Sequence, residues 1–113
     1  MANETIINKS YDLLKFSIPV LNKLPRSFKF TFGDRVQQLL TTVLELLIEA
    51  FYQPQEHKRA TLLRVNITLE KLRHYFRLGF ELGLYASPKY RDFAQRVDEI
   101  GRMTGGWLKS LQE

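Results

Sequence analysis

Apolar residues recur at alternating steps of three and four along four stretches of this 113-residue chain, the spacing that gives a helix one apolar face. The predicted helices cover residues 4–23, 34–53, 57–84 and 88–112. Proline-containing breaks separate them, and no alternating run is long enough to indicate a sheet. Short connections favour neighbouring helices that run in opposite directions. The sequence therefore predicts an all-α fold, an antiparallel up-down-up-down four-helix bundle, as one domain over residues 1–113.

The first two predicted helices differ in the width of their apolar faces. The apolar side of the first helix holds Ile7, Tyr11, Leu14, Ile18 and Leu21. Pro19 should kink its last turn, because proline removes one backbone hydrogen bond. The core face of the second holds Val36, Leu39, Leu40, Val43, Leu47, Ala50 and Phe51. Leu44 and Ile48 widen this face to about 200°, more than one bundle core requires, so part of it is expected to meet another chain.

The third predicted helix carries two apolar stripes. The first is a seam suited to shallow packing angles, formed by Leu62, Val65, Leu69, Leu72, Phe76, Gly79 and Gly83. The second lies roughly opposite and consists of Leu63, Ile67, Leu78 and Leu82. Two stripes imply two packing partners, either a neighbouring helix of the same chain or a neighbouring subunit.

The fourth predicted helix begins with a plausible N-cap, Ser87, and with Pro88 at the first helical position. Its seam runs through Tyr90, Phe93, Val97, Ile100, Thr104, Trp107 and Leu111. Gly101 and Gly105 lie one turn apart, which would let another backbone approach closely. Alternatively, the glycine pair at 105–106 ends the helix and Trp107 folds back.

The stretch FKFTF, residues 28–32, alternates phenylalanine with polar residues just before the second helix. If it is extended, its three rings close one end of the core, and Thr31 or Asp34 caps the following helix. The alternative is base stacking, because aromatic residues interleaved with cations can stack unpaired bases. Arg26, Lys29 and Arg35 supply the cations. The residues favour the core interpretation.

Charge points to a polyanionic partner, with nucleic acid as the leading candidate. Seventeen Lys and Arg against twelve Asp and Glu give a net charge of +5 and a pI near 9.6. On the third helix Arg59, Arg73 and Arg77 project within about 40° of one another, while Arg64 and Lys71 project from the far side. Such a basic line could bind phosphates without reading sequence. Alternatively, Glu70 and Glu81 pair with these arginines as ordinary surface salt bridges.

Several function classes have little support in the sequence. The chain has no cysteine, no signal peptide and no apolar run near the ~20 residues that span a bilayer, so a cytoplasmic protein without membrane contact is expected. His57 and His74 belong to no metal-binding pair, and no glycine-rich phosphate loop is present. An enzyme is therefore not expected, and no metal or cofactor is implied.

Four stretches together resemble the Avd family, the accessory variability determinant proteins of diversity-generating retroelements. They are LPRSFKFTFGDR (24–35), VLELLIEA (43–50), LEKLRHYFRL (69–78) and DEIGRMTGGWLKS (98–110). The resemblance implies a four-helix bundle that assembles into a basic homopentameric barrel. It also implies a non-catalytic partner of the reverse transcriptase that binds template RNA or cDNA in mutagenic cDNA synthesis. Related bundles encoded by 23S rRNA intervening sequences suggest the alternative, a structural RNA-associated module with no polymerase partner.

The resemblance also suggests residue roles. Arg73 and Arg77, within LEKLRHYFRL, are expected on the nucleic-acid or polymerase-binding surface. The weaker candidates are Arg59, Arg26, Lys29, Arg64 and Lys71. Within DEIGRMTGGWLKS, the expected packing residues are Gly101, Gly105 and Trp107, and the expected exposed ones are Arg102 and Lys109.

Overall fold

Four long helices make up most of the computed structural model, which describes residues 2–112 and the side chains of residues 4–112. They are α1 (Ala2–Asn22), α3 (Asp34–Tyr52), α4 (Gln55–Glu81) and α5 (Ser87–Ser110), and α2 (Arg26–Phe28) is a single short turn. A π-helical turn, Lys29–Gly33, joins α2 to α3 without a break. No strand occurs within residues 2–112. The predicted domain limits at residues 1 and 113 lie outside the described residues.

The long helices form a closed arrangement in which each packs on two others. α1 and α4 each contact both α3 and α5, so they occupy opposite corners of the bundle. Because short connections link consecutive helices, neighbours run in opposite directions along a body of 46 × 23 × 20 Å. The predicted all-α, four-helix fold is confirmed. Within the described residues, every helix is too short or too polar to span a bilayer.

The apolar faces predicted for α3, α4 and α5 do form the core. Its fully buried large side chains include Leu40, Leu47, Leu62, Leu69, Leu72, Phe76, Phe93 and Ile100. The rings of Phe76 and Phe93 stack with centroids 4.2 Å apart, which joins α4 to α5 near one end of the bundle. Each such side chain contributes about 1.5–3 kcal/mol through burial.

The predicted face of α1 is rotated by about one residue from the observed one. The buried positions are Ile6, Ser10, Leu13, Ser17 and Leu21, whereas Tyr11 is 55% exposed. A serine can replace a large apolar residue here because the Ser17 hydroxyl donates a 2.7 Å hydrogen bond to the carbonyl of Leu13. Pro19 lies within α1, which continues to Asn22.

The observed helix ends correct two expectations and exclude one alternative. Ala86, not Ser87, is the N-cap of α5, so Ser87 takes the first helical position and Pro88 the second, one residue later than predicted. Gly83 follows α4 with φ of 76° instead of extending the seam. The next amide, Leu84 N–H, bonds to the Gly79 carbonyl, which ends α4. The glycines at 105–106 do not end α5, which runs through them to Ser110.

Candidate nucleic-acid interface

The aromatic stretch 28–32 is helical, and this corrects the extended conformation expected from its alternation. At about 100° per residue, Phe28 and Phe32 fall on one side of a helix and Phe30 on the other. Phe32 is accordingly buried at 8% exposure and Phe28 half-buried, while Phe30 is 59% exposed. The core interpretation therefore holds for Phe32, holds in part for Phe28 and is wrong for Phe30.

Neither Thr31 nor Asp34 caps α3, because α3 continues directly from the π-helical turn. The residue before α3 is Gly33, and no side chain bonds to the helix start. The Thr31 hydroxyl instead donates to the carbonyl of Ser27, 3.1 Å away. A helix that starts inside another helical turn already has carbonyl partners for its first amides, so a capping side chain is not needed.

Two cations lie beside the exposed Phe30 ring. The Arg26 guanidinium carbon is 6.0 Å from the ring centroid and the Lys29 ammonium is 5.4 Å from it. Within the described residues, neither cation makes an ion pair with a carboxylate. This end of the bundle thus combines an aromatic face with two unneutralised charges.

A second set of cations lines a groove of about 230 Å³ between α3 and α4, here called the basic groove. Its charged residues are Arg35, Arg64 and Lys71. Its other lining residues are apolar or hydroxyl-bearing: Leu39, Thr42, Leu46, Ile67 and Thr68. Arg64 and Lys71 are two turns apart, about 10 Å along the axis of α4. Among the described residues no acidic side chain lines the groove, so its positive charge is not neutralised locally.

Arg73, one of the two residues expected to bind most directly, is held by two carboxylates. Its guanidinium lies 2.9 Å from Glu70 on the same helix and 3.1 Å from Asp98 on α5. Gly101 makes room for this side chain, since a Cβ there would lie 2.8 Å from the Arg73 Nη2. Gly101 thus accommodates an arginine and not a second backbone, and Gly105 is exposed with nothing close to it.

The other two arginines of the predicted basic line differ in their pairing. Arg77 lies 3.6 Å from Glu81, in an exposed pair. Arg59 is exposed and makes no ion pair within residues 2–112. The sequence analysis left open that Glu70 and Glu81 form salt bridges with these arginines. In the structure Arg73 does pair with Glu70, and Arg77 with Glu81. Their role in binding stays a prediction.

Arg35 joins Arg64 and Lys71 in the basic groove, although helical periodicity offers no reason to group it with them. Its guanidinium donates to the side-chain oxygen of Gln38, 3.4 Å away, and to no carboxylate among the described residues. The three cations meet because α3 packs antiparallel on α4, which places the start of α3 against the second half of α4.

Of the other polar groups, the Tyr85 hydroxyl has the most distinct environment. Burial, reinforced by the nearby Tyr90, raises its pKa well above the ordinary tyrosine value. The hydroxyl therefore stays protonated and donates a 2.6 Å hydrogen bond to the carbonyl of Phe76. Both histidines are exposed, and the described residues contain no group of three or more side chains placed to hold a metal ion.

A family model described as bAvd-like matches residues 5–111, which covers α2, the π-helical turn and nearly all of the four long helices. No curated protein matches the chain.

Proposed function

The chain belongs to the bAvd-like family, and on this premise we propose that it is a non-catalytic accessory protein of a diversity-generating retroelement. In this role it binds template RNA or cDNA and the reverse transcriptase, in the cytoplasm and as a homopentameric barrel. It supports mutagenic reverse transcription, while the polymerase chemistry and any cofactor belong to the reverse transcriptase.

The basic groove is the observation that supports nucleic-acid binding. Arg35, Arg64 and Lys71 face a shared space with no carboxylate among the lining residues. Arginine offers a planar fork that fits phosphate oxygens, and each neutralised phosphate releases counterions into solution. A groove of this kind favours a phosphate backbone and needs no contact with base edges.

The remaining candidate cations extend this surface. Arg26, Lys29 and Arg59 have no carboxylate partner within the described chain. Arg73 and Arg77 do have such partners, but their ion pairs are partly or largely exposed. Exposed pairs contribute only about 0–1 kcal/mol, so a phosphate can replace the carboxylate at little cost.

Assembly into a homo-oligomer is supported by the second apolar stripe of α4. Its four residues, Leu63, Ile67, Leu78 and Leu82, are exposed in the single chain. A stripe of large apolar side chains at the surface is typical of a protein interface. Because Ile67 also lines the basic groove, the groove would run beside a subunit contact.

The test of binding measures the affinity for a short single-stranded RNA across a salt series. Replacing Arg64→Gln and Lys71→Gln together should lower the slope of log affinity against log salt by about 1.4, since each contact to a single strand contributes about 0.7. The matched control, Lys15→Gln with Arg91→Gln, removes the same charge from exposed positions on α1 and α5. If both variants change the slope equally, the basic groove is not the binding site.

A second measurement separates the retroelement role from that of a structural RNA-associated bundle. The reverse-transcriptase gene should lie near the gene for this chain, together with two near-identical repeats that differ at adenines. The purified reverse transcriptase should then form a complex with the chain. The absence of the gene and the repeats would refute the retroelement assignment.

A further inference from the structure

Phe30 is an aromatic side chain presented to solvent by a segment that is otherwise anchored. The residue is 59% exposed, while Phe32, two residues on, is buried with its ring centroid 6.2 Å from that of Tyr75. Pro25 precedes the segment, and the carbonyl of Pro25 accepts amide hydrogen bonds from Phe28 and Lys29. The ring therefore sits on a short helical stretch that is held at both ends.

The surroundings of the ring are charged and polar. Arg26 and Lys29 lie within 6.0 Å of the ring centroid, and the chain neighbours Ser27 and Thr31 carry hydroxyls. An apolar protein surface placed on the ring would have to exclude water from both cations without neutralising them. A ligand with a flat π face and a nearby negative charge would stack on the ring and neutralise the cations at the same time.

The backbone here also departs from a regular helix. Residues 29–33 form a π-helical turn, a rare feature that often marks functional sites because the inserted residue redirects side chains. Phe30 belongs to this turn. The turn runs into α3, whose first residues also carry Arg35 of the basic groove.

We infer that Phe30 stacks on an unpaired base of single-stranded nucleic acid, with Arg26 and Lys29 binding the adjacent phosphates. This inference rests on the proposed nucleic-acid binding and deepens it. It specifies a single strand as the ligand, and it names Phe30 as the residue that distinguishes a single strand from a duplex. Stacking on one aromatic side chain is tolerant of base identity, since every base has a π face. A duplex, whose bases are already stacked, gains nothing from the ring.

The experiment compares two short RNA strands with the same number of phosphates, one complete and one with abasic positions. The intact protein should bind the complete strand more tightly. Phe30→Leu should weaken binding of the complete strand by about 5- to 150-fold, the range for one stacked base, and leave the abasic strand unchanged. Phe30→Tyr keeps a ring and should keep the preference. The matched control is Tyr52→Leu, because Tyr52 is a 78% exposed aromatic with no cation over its ring among the described contacts.

Each alternative outcome is distinct. If the intact protein binds neither strand, the proposed nucleic-acid binding is wrong, and this inference falls with it. If it binds the complete strand equally well with and without the Phe30 ring, binding stands and the stacking site is refuted. If Phe30→Leu changes the mass of the assembly, or weakens only the complex with the reverse transcriptase, the ring belongs to a protein interface and the inference is overturned.

Discussion

Replacing Gly79 with alanine should destabilise the bundle, even though alanine is the better helix former. A Cβ at this position would lie 2.7 Å from Cζ of Phe32 and 2.8 Å from Cζ of Tyr85, with the Tyr85 hydroxyl also in its way. Phe32 is buried, and the Tyr85 hydroxyl is held by its hydrogen bond to Phe76. Neither ring is the free end of a flexible side chain, so the clash cannot be relieved by a small rotation.

The expected change in the free energy of unfolding combines two costs and one gain. Overpacking costs about 1–3 kcal/mol, and displacing Tyr85 from Phe76 costs about 1 kcal/mol more. The helix propensity of alanine returns about 1 kcal/mol. The free energy of unfolding should therefore fall by about 1–3 kcal/mol, which lowers Tm by about 4 °C per kcal/mol for a chain of this size.

The matched control is the same substitution at Gly105. That glycine lies in α5 and is exposed, and apart from its own helix backbone and chain neighbours no described atom lies within 4 Å of the position that a Cβ would take. Gly105→Ala should therefore raise the free energy of unfolding by up to about 1 kcal/mol. Thermal unfolding followed by circular dichroism compares the two variants. Both are measured at one protein concentration, because the proposed assembly would make Tm concentration-dependent. Shifts of the same sign would refute the packing argument.

A double substitution locates the clash. Tyr85→Phe removes the hydroxyl, the part of the ring nearest to the added Cβ, and by itself costs about 1 kcal/mol through the lost hydrogen bond. Gly79→Ala should then cost less in the Tyr85→Phe background than in the unmodified chain. Strictly additive effects would place the strain elsewhere.

Two further predictions concern single contacts. Lys58→Met removes hydrogen bonds of 2.6 and 3.0 Å to the carbonyls of Ala50 and Phe51 at the end of α3. It should lower the free energy of unfolding by about 1–2 kcal/mol and speed amide exchange in the last turn of α3; unchanged exchange would contradict the capping role. Asp98→Asn should change stability by less than about 1 kcal/mol, because its pair with Arg73 is partly exposed. It should raise affinity for single-stranded RNA at low salt by removing one of the two carboxylates that hold Arg73, and an unchanged affinity would exclude Arg73 from the interface.

The buried faces of the helices could be predicted where large apolar side chains repeat at helical spacing. The seams of α3, α4 and α5 consist of leucines, valines and aromatics at regular steps, and nearly all of these residues are buried. The pattern of α1 was ambiguous because two of its inward positions are serines. A buried hydroxyl that bonds to the preceding turn, as Ser17 does, has no apolar signature in the sequence.

The candidate site could be predicted only one helix at a time. Helical periodicity correctly places Arg64 and Lys71 on a common side of α4, but it cannot say which residues of other helices face them. Arg35 comes from α3, and Asp98, which holds Arg73, comes from α5, 25 residues away in the chain. Both relations depend on which helices are adjacent and on their relative register, which is a property of the packed bundle.

The two aromatic residues Phe30 and Phe32 connect the packing of the bundle end to the candidate interface. Because residues two positions apart on a helix point to nearly opposite sides, burying Phe32 against Gly79 and Tyr75 directs Phe30 outward. The same stretch in an extended conformation would put both rings on one side, and both could then be buried. The helical conformation of residues 28–32 therefore does two things at once: it closes the core with one ring and leaves the other beside two cations, where an unpaired base can reach it.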